Sequence, residues 1–230
     1  MKNVEILYKS KNLIVVNKPC GIPSQPDTTG DADALTLSAA HLLSLGEDSA
    51  LYPVNRLDRV VGGLLVFARN KQSAAALSSI VSGEGFGKEY LAVVSGKPSG
   101  GRLVNYLYKD ARISKSFVVN GKRAGVKEAV LDYTPISTVS TENGDLSLLK
   151  VKLHTGRYHQ IRCQLSYIGF PIVGDGKYGS RDKGARHPAL FSYSLSFTAM
   201  GEDVKALALP NTSEYPWNLF SLKDALEELK

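Results

Sequence analysis

The sequence predicts an α+β fold built on a mixed, mostly antiparallel sheet with a few helices beside it. Short apolar or alternating runs of strand length recur along the chain, and helical signals are fewer, the best of them in three segments. The strand runs also follow one another without a regular alternation of strand and helix. With 230 residues, 43% of them hydrophobic, the chain can bury the core of one large domain or of two small lobes.

The predicted strands are rich in β-branched and aromatic residues and are separated by turn-forming residues. Asn143-Gly144-Asp145 predicts a hairpin turn, and Gly201-Glu202 predicts a second one between the last two strands. In chain order the predicted strands are Leu13 to Asn17, Gly63 to Ala68, Tyr90 to Ser95, Ala129 to Tyr133, Leu146 to Leu153, Tyr193 to Thr198 and Val204 to Leu209.

Three segments have helical signals. Asn70 is a capping residue before the first, and Thr155 stands before the second. The second segment also carries an apolar stripe at helical spacing. The predicted helices are Lys71 to Val81, Arg157 to Ile168 and Leu219 to Leu229.

The charge balance is basic. The chain has 28 Lys and Arg against 22 Asp and Glu, a net charge of +6, and its pI is about 9.2. Such a charge favours polyanionic partners, although lysines that are merely solvated explain it equally well.

Composition also limits the class of protein. No apolar run reaches the roughly 20 residues of a membrane helix, and the first residues lack a signal-peptide apolar stretch. Cys20 and Cys163 are far apart and have no CxxC partner, so neither a disulfide framework nor a zinc site is indicated. We therefore expect a soluble, cytoplasmic protein without a metal site.

One carboxylate lies between two arginines in the segment Asn55-Arg56-Leu57-Asp58-Arg59. The arginines favour the ionised form of Asp58, and Gly62-Gly63 downstream would let backbone approach a ligand closely. These features make Asp58 a candidate catalytic group. The alternative is a surface loop with an ordinary Arg–Asp ion pair.

A second candidate segment is Thr155 to Arg162, where a predicted strand leads into a predicted helix. Its beginning contains the side-chain donors Arg157, His159 and Gln160, and a helix start adds unpaired backbone N–H groups. Arg162 lies about one turn further on and can reach toward the same cleft. The alternative is an ordinary amphipathic helix with a solvated polar face.

Four ordered motifs resemble those of the RluA family of RNA pseudouridine synthases. The family's His-Arg-Leu-Asp motif, its Lys-x-Tyr-x-Ala-x-Val motif, its Thr-Gly-Arg-x-His-Gln-Ile-Arg motif and its Lys-Pro-x-Gly opening are all represented. The matching residues are Asn55 to Asp58, Lys88 to Val94, Thr155 to Arg162 and Lys18 to Gly21. The resemblance runs from about residue 12 to about residue 200.

This resemblance implies one catalytic domain, residues 1–230, with the synthase fold around a central cleft and no separate S4-type RNA-binding domain. It implies that Asp58 is the catalytic carboxylate, that Arg162 pairs with it and that Tyr90 packs against the target base. Isomerising uridine needs no redox change, so no cofactor is expected. We also expect a monomer.

The expected partner is RNA, namely an rRNA or tRNA stem-loop, because flipping a uridine out of its stack costs least in a loop. Six residues are predicted to bind the substrate, the first four of them through phosphates. They are Arg56, Arg59, Lys88, Arg157, His159 and Gln160.

The chain departs from the family motif at two places. Asn55 replaces the usual His, and Val61-Gly62 replaces Thr-Ser. A non-catalytic RNA-binding or ribosome-assembly protein that retains the fold is therefore a second hypothesis. A hydrolase that uses Asp58 as nucleophile is a third, but no second acid or base at defined spacing supports it.

Overall fold

The structure is a computed structural model that describes residues 4–83, 85–222 and 227. Its α-helices are α1 (Ala34–Ser44), α2 (Lys71–Ser82) and α3 (Gln160–Tyr167). Its strands are β1 (Glu5–Lys9), β2 (Leu13–Lys18), β3 (Tyr52–Pro53), β4 (Gly62–Ala68), β5 (Phe86–Ser95), β6 (Gly101–Asp110), β7 (Lys115–Val119), β8 (Val126–Thr141), β9 (Gly144–Leu153), β10 (Leu190–Ala199) and β11 (Glu202–Leu207).

The chain divides into two compact units. The first comprises Met1–Lys88 and Ser192–Pro210, and the second comprises Glu89–Phe191 and Asn211–Lys230. The assignment of the whole chain to a single catalytic domain stays a prediction.

The first unit is built on β2 and β4, which pair antiparallel. β1 pairs with β2, β3 pairs with β4, and β10 and β11 form a hairpin, all antiparallel. Side chains alternate between the two faces of a strand, and both faces of β2 and β4 are buried. Leu13 and Val15 pack in one core cluster with Leu77 of α2, whereas Ile14 and Val16 pack in another with Leu42 of α1.

The second unit is an antiparallel sheet in the order β5, β9, β8, β6, β7. Helix α3 packs on β6 and β7. In this contact Leu107 of β6 and Ala129 of β8 form a buried cluster with Cys163 of α3 and with Tyr178. A short 3-10 helix, Gly176–Tyr178, follows α3.

The predicted α+β class is confirmed, and so are the predicted strands and both hairpin turns. Four strands and one helix were not predicted, namely β1, β3, β6, β7 and α1. β6 and β7 interleave charged residues with apolar ones, and α1 places the buried Leu42 next to Leu43, which is 65% exposed. Such patterns lack the clear periodicity on which sequence prediction depends.

Two of the predicted helices differ in outcome from the first. The helix predicted from Arg157 begins at Gln160, because His159 adopts the left-handed conformation (φ 53°) and acts as its N-cap. This corrects the predicted start by three residues. The helix predicted from Leu219 to Leu229 lies for the most part outside the described residues. Leu219 itself ends a 3-10 helix, Trp217–Leu219.

Candidate active site

Asp58 lies in the loop between β3 and β4 and is partly exposed. The backbone before it is held by Ser24. The Ser24 hydroxyl donates to the Leu57 carbonyl and accepts from the Leu57 N–H, both at 2.9 Å. Ser24 is itself buried, so these two hydrogen bonds fix the chain one residue ahead of the carboxylate.

The backbone after Asp58 is held by the Lys-Pro-x-Gly segment. The ammonium group of Lys18, which is 0% exposed, donates to the carbonyls of Pro19, Ile22 and Arg59 at 2.9 to 3.3 Å. The Gly21 N–H also donates to the Arg59 carbonyl, at 2.8 Å. Asp58 is thus presented by a loop whose backbone is anchored on both sides.

The residues that depart from the family motif, and Gly63 beside them, are fitted closely into the start of β4. The side-chain oxygen of Asn55 accepts a hydrogen bond from the Val66 N–H of β4 at 2.8 Å. Val61 is 2% exposed, so an apolar side chain packs where the family has a hydroxyl. Gly63 has φ +112°, and a Cβ on it would lie 2.2 Å from the Ser192 carbonyl oxygen.

The arginines beside Asp58 differ in their surroundings. Arg56 is exposed. Arg59 pairs with Asp31 and with Asp27, and it donates to the Thr29 hydroxyl. Hydrogen bonds lower the pKa of Asp27 to about 2, and those from Thr29 contribute more than the one from Arg59. Arg59 therefore fastens the loop around Thr29, and the prediction that it contacts phosphate remains untested.

The segment before α3 is organised by Gln160, which is 3% exposed. Its side-chain oxygen accepts from the Thr155 hydroxyl at 2.8 Å and from the Arg157 N–H at 3.0 Å. Its amide nitrogen donates to the Val130 carbonyl at 3.1 Å. Arg157 donates through Nε to the Glu128 carbonyl at 2.7 Å. These contacts support an internal, turn-forming role for Gln160, while the predicted substrate contacts remain predictions.

His159 is packed between two tyrosines. Its ring stacks on Tyr158 with centroids 3.9 Å apart, and Nδ1 lies 3.0 Å from the Tyr178 hydroxyl. That hydroxyl also accepts from the Ser116 N–H at 2.8 Å. Burial, together with the charge of Arg162, lowers the pKa of His159 to about 3. His159 is therefore neutral at physiological pH.

Arg162 is 4% exposed and makes a bidentate ion pair with Asp175. Nε donates to one carboxylate oxygen at 2.7 Å, and Nη2 donates to the other at 2.9 Å. The guanidinium carbon also lies 5.1 Å from the centroid of the Tyr178 ring. Within its own unit, Arg162 thus has Asp175 as a carboxylate partner, and sequence reasoning missed this pair. The predicted pairing of Arg162 with Asp58 stays a prediction.

Tyr90 and Lys88 lie on β5. Tyr90 is opposite Val151 of β9 and is 7% exposed. Lys88 is 9% exposed, and its ammonium group lies 5.5 Å from the centroid of the Phe86 ring. Both side chains are therefore largely withdrawn from solvent.

Comparison with known proteins identifies the family. The profile of the RNA pseudouridylate synthase family matches residues 12–167, which contain Asp58, Tyr90 and Arg162. The chain belongs to the RNA pseudouridylate synthase family. The resemblance to pseudouridine synthases that the motifs indicated is thereby confirmed.

Curated relatives of this pseudouridylate synthase family member act on different RNAs by name. The chain is 31% identical over 199 residues to ribosomal large subunit pseudouridine synthase D of Borreliella burgdorferi, covering 83% of this chain and 59% of the relative. It is 32% identical over 180 residues to the mitochondrial tRNA pseudouridine(32) synthase of Saccharomyces cerevisiae, covering 77% of this chain and 37% of the relative. The chain thus spans less than two thirds of the length of each of these two relatives.

A solved structure shows the same fold. Human RNA pseudouridylate synthase domain containing 1 superposes with a TM-score of 0.80 at 21% identity, covering 99% of this chain and 94% of that one. This likeness confirms the predicted synthase fold.

Two negative findings concern the described residues. None of the helices found there has both the length and the apolar composition required to cross a bilayer. Within residues 4–83, 85–222 and 227, no three His, Cys, Asp or Glu side chains are grouped so that they could hold a metal ion.

Proposed function

We propose that this chain isomerises uridine to pseudouridine in rRNA or tRNA, with Asp58 as the catalytic carboxylate. The observation that carries the proposal is the anchored loop of Asp58 inside the segment that matches the family. Ser24 holds the backbone before the carboxylate, and Lys18 with Gly21 holds it afterwards. A carboxylate on a preorganised loop can be held in reacting geometry without the cost of ordering it during the reaction.

The chemistry conserves atoms and electrons within the nucleotide. The bond between N1 and C1′ breaks, the free ring turns, and a new bond joins C5 to C1′. The proton on C5 is lost and N1 gains one, so neither an oxidant nor a reductant takes part. Asp58 would act as a nucleophile or would promote the glycosidic cleavage.

Arg162 and Tyr90 are the supporting residues in this proposal. A guanidinium has five N–H donors, and Asp175 takes two of those on Arg162. The donor capacity of a guanidinium is thus compatible with the predicted pairing with Asp58, which would keep that carboxylate ionised and oriented. Tyr90 would pack against the flipped uracil ring.

The test is a map of pseudouridines in total RNA from cells that lack the gene, complemented with wild type, Asp58→Ala or Asp203→Asn. Asp203 is an exposed carboxylate on β11 and serves as the matched control. We expect one or more sites to vanish on deletion and to return with wild type and Asp203→Asn but not with Asp58→Ala. Identical maps in all strains, with RNA still co-purifying with the protein, would favour the non-catalytic RNA-binding function.

A further inference from the structure

The hairpin of β6 and β7 has one exposed face lined with aromatic and apolar side chains. Residues paired across antiparallel strands lie on the same face, and Tyr108 pairs with Phe117. Tyr106 and Val104 precede Tyr108 at intervals of two residues along β6 and therefore share this face. Val104 is 58% exposed, Tyr108 is 37% exposed and Phe117 is 38% exposed. We call these four residues the hairpin face.

The opposite side of the hairpin is buried. Leu107 is 3% exposed and packs in a cluster with Cys163 of α3. Helix α3 thus covers one side of β6 and β7 and accounts for the apolar residues there. Helix α3 does not cover the aromatic residues of the hairpin face. A contiguous exposed apolar surface of this kind is typical of a binding site.

The charge around the hairpin face indicates the kind of partner. Residues 101–128 contain seven Lys and Arg and two Asp and Glu, a net charge of +5 out of the chain's +6. Lys122 places its ammonium group 5.8 Å from the Tyr106 ring centroid, and Lys115 places its own 5.5 Å from that of Phe117. A second copy of this basic hairpin would be repelled, whereas a polyanion would be attracted.

We propose that the hairpin face docks an unpaired segment of RNA, with bases stacked on Tyr106, Tyr108 and Phe117 and with phosphates beside the lysines. Aromatic rings interleaved with cations on an exposed sheet face supply both parts of single-strand recognition. Stacking accepts any base, because every base has a π-face, so this surface adds affinity and position but little sequence preference. The inference rests on the proposed RNA substrate and adds a binding surface to it.

The direct test is fluorescence anisotropy with a labelled oligouridine of about ten nucleotides, within the usual range for such sites. We expect Tyr108→Ala and Phe117→Ala each to raise the Kd by about 5- to 100-fold. Tyr108→Trp should retain wild-type affinity because an aromatic ring is kept. The matched control is Tyr167→Ala, since Tyr167 is a 62% exposed tyrosine on α3. Equal Kd values for the wild type and the alanine variants, with far-UV circular dichroism unchanged, would overturn the proposal.

A salt titration tests the electrostatic part. Replacing Lys122 and Arg123 with alanine should reduce the slope of log K against log salt by about 0.7 for each phosphate that is no longer neutralised. Lys205→Ala, at an exposed position of β11, should leave the slope unchanged. If polyglutamate displaces the oligouridine as effectively as unlabelled oligouridine does, charge alone governs binding and the stacking proposal is wrong.

Kinetics separate this inference from the proposed function. On an RNA that the wild type modifies, Tyr108→Ala should raise KM and leave kcat close to wild type. If the wild type forms no pseudouridine but the Tyr108→Ala variant binds RNA more weakly than the wild type, the proposed function fails while the docking surface stands. If turnover depends on Asp58 while Tyr108→Ala and Phe117→Ala change neither KM nor Kd, the docking surface fails alone.

Discussion

Arg162 and Asp175 show how one buried residue depends on another. Removing one partner of a buried ion pair leaves an uncompensated charge, which typically costs about 3–5 kcal/mol. Both side chains are almost completely buried, at 5% and 1% exposure, and they share two hydrogen bonds. Asp175 is therefore expected to be needed for the position of Arg162.

The corresponding prediction is that Asp175→Asn lowers the free energy of unfolding by about 3 kcal/mol. The same change should reduce kcat more than it raises the KM for RNA, because Arg162 loses its orientation. Urea denaturation and single-turnover assays measure the two effects. Asp145→Asn is the control, since Asp145 pairs with the exposed Lys97, and its stability should match wild type. Wild-type stability for Asp175→Asn would contradict the expected dependence.

His159 makes a second prediction at the scale of one residue, and it concerns pH. The pKa of His159 is about 3 in the folded protein and about 6.5 in an unfolded chain. The unfolded state therefore binds a proton more readily. The contribution of His159 to the free energy of unfolding is fully present above about pH 6.5. It is lost as the pH falls toward about 3, by at most about 1.4 kcal/mol per pH unit.

His159→Asn tests this, because asparagine tolerates the left-handed conformation and its carbonyl oxygen can accept from Tyr178. Urea denaturation between pH 7 and pH 4.5, a range in which most carboxylates stay ionised, should show a shallower decline in the free energy of unfolding for this variant than for the wild type. His41→Asn, on the exposed side of α1, should keep the wild-type slope. An unchanged slope for His159→Asn would mean that other groups cause the decline.

At the scale of elements, the loop between β3 and β4 is determined by β4 as much as by its own residues. Asn55 binds the Val66 N–H, and Gly63 lets the backbone of β4 approach Ser192 closely. The positive φ of Gly63 adds a second reason why only glycine fits there. The presentation of Asp58 thus depends on the start of β4.

Gly63→Ala is accordingly expected to destabilise the protein by about 3 kcal/mol or more, from backbone strain and overpacking together. Gly201→Ala is the control, since Gly201 has φ +75° but nothing within 4 Å of a Cβ. That variant should lose only the strain component, about 1 kcal/mol. Thermal unfolding compares the two, and equal losses would show that the close approach to Ser192 contributes nothing.

At the scale of the whole molecule, Asp58 and Arg162 belong to different compact units of one chain. The functional hypothesis requires them to act on the same nucleotide. Residues that act together in catalysis show strongly non-additive effects when both are removed.

We therefore predict that Arg162→Met reduces turnover far more than RNA affinity, and that adding it to Asp58→Ala costs almost nothing further. Single-turnover pseudouridine formation and RNA anisotropy measure the two quantities. The control is Lys9→Met, because Lys9 is an exposed cation of β1 that pairs on the surface with Glu47. Full turnover by Arg162→Met, or losses that simply add, would rule out joint action with Asp58.

The local sequence determined much of this protein. The strands β2, β4, β5 and β9 can be predicted from their apolar runs, because each run is recognised from consecutive residues alone. The motif segments that carry Asp58, Tyr90 and Arg162 are equally visible, since a motif is a local pattern of residue types. Family membership followed from these segments.

The tertiary structure alone decided which groups meet. Asp175 is 13 residues from Arg162 in sequence, and Ser24 is 33 residues from Leu57, so no local pattern reveals either pair. The left-handed conformation of His159 and its packing between Tyr158 and Tyr178 are likewise visible only in the folded chain. The exposure of the hairpin face depends on which side of β6 the helix α3 covers. Burial and pairing arise from contacts between distant segments, and the folded chain is what brings those segments together.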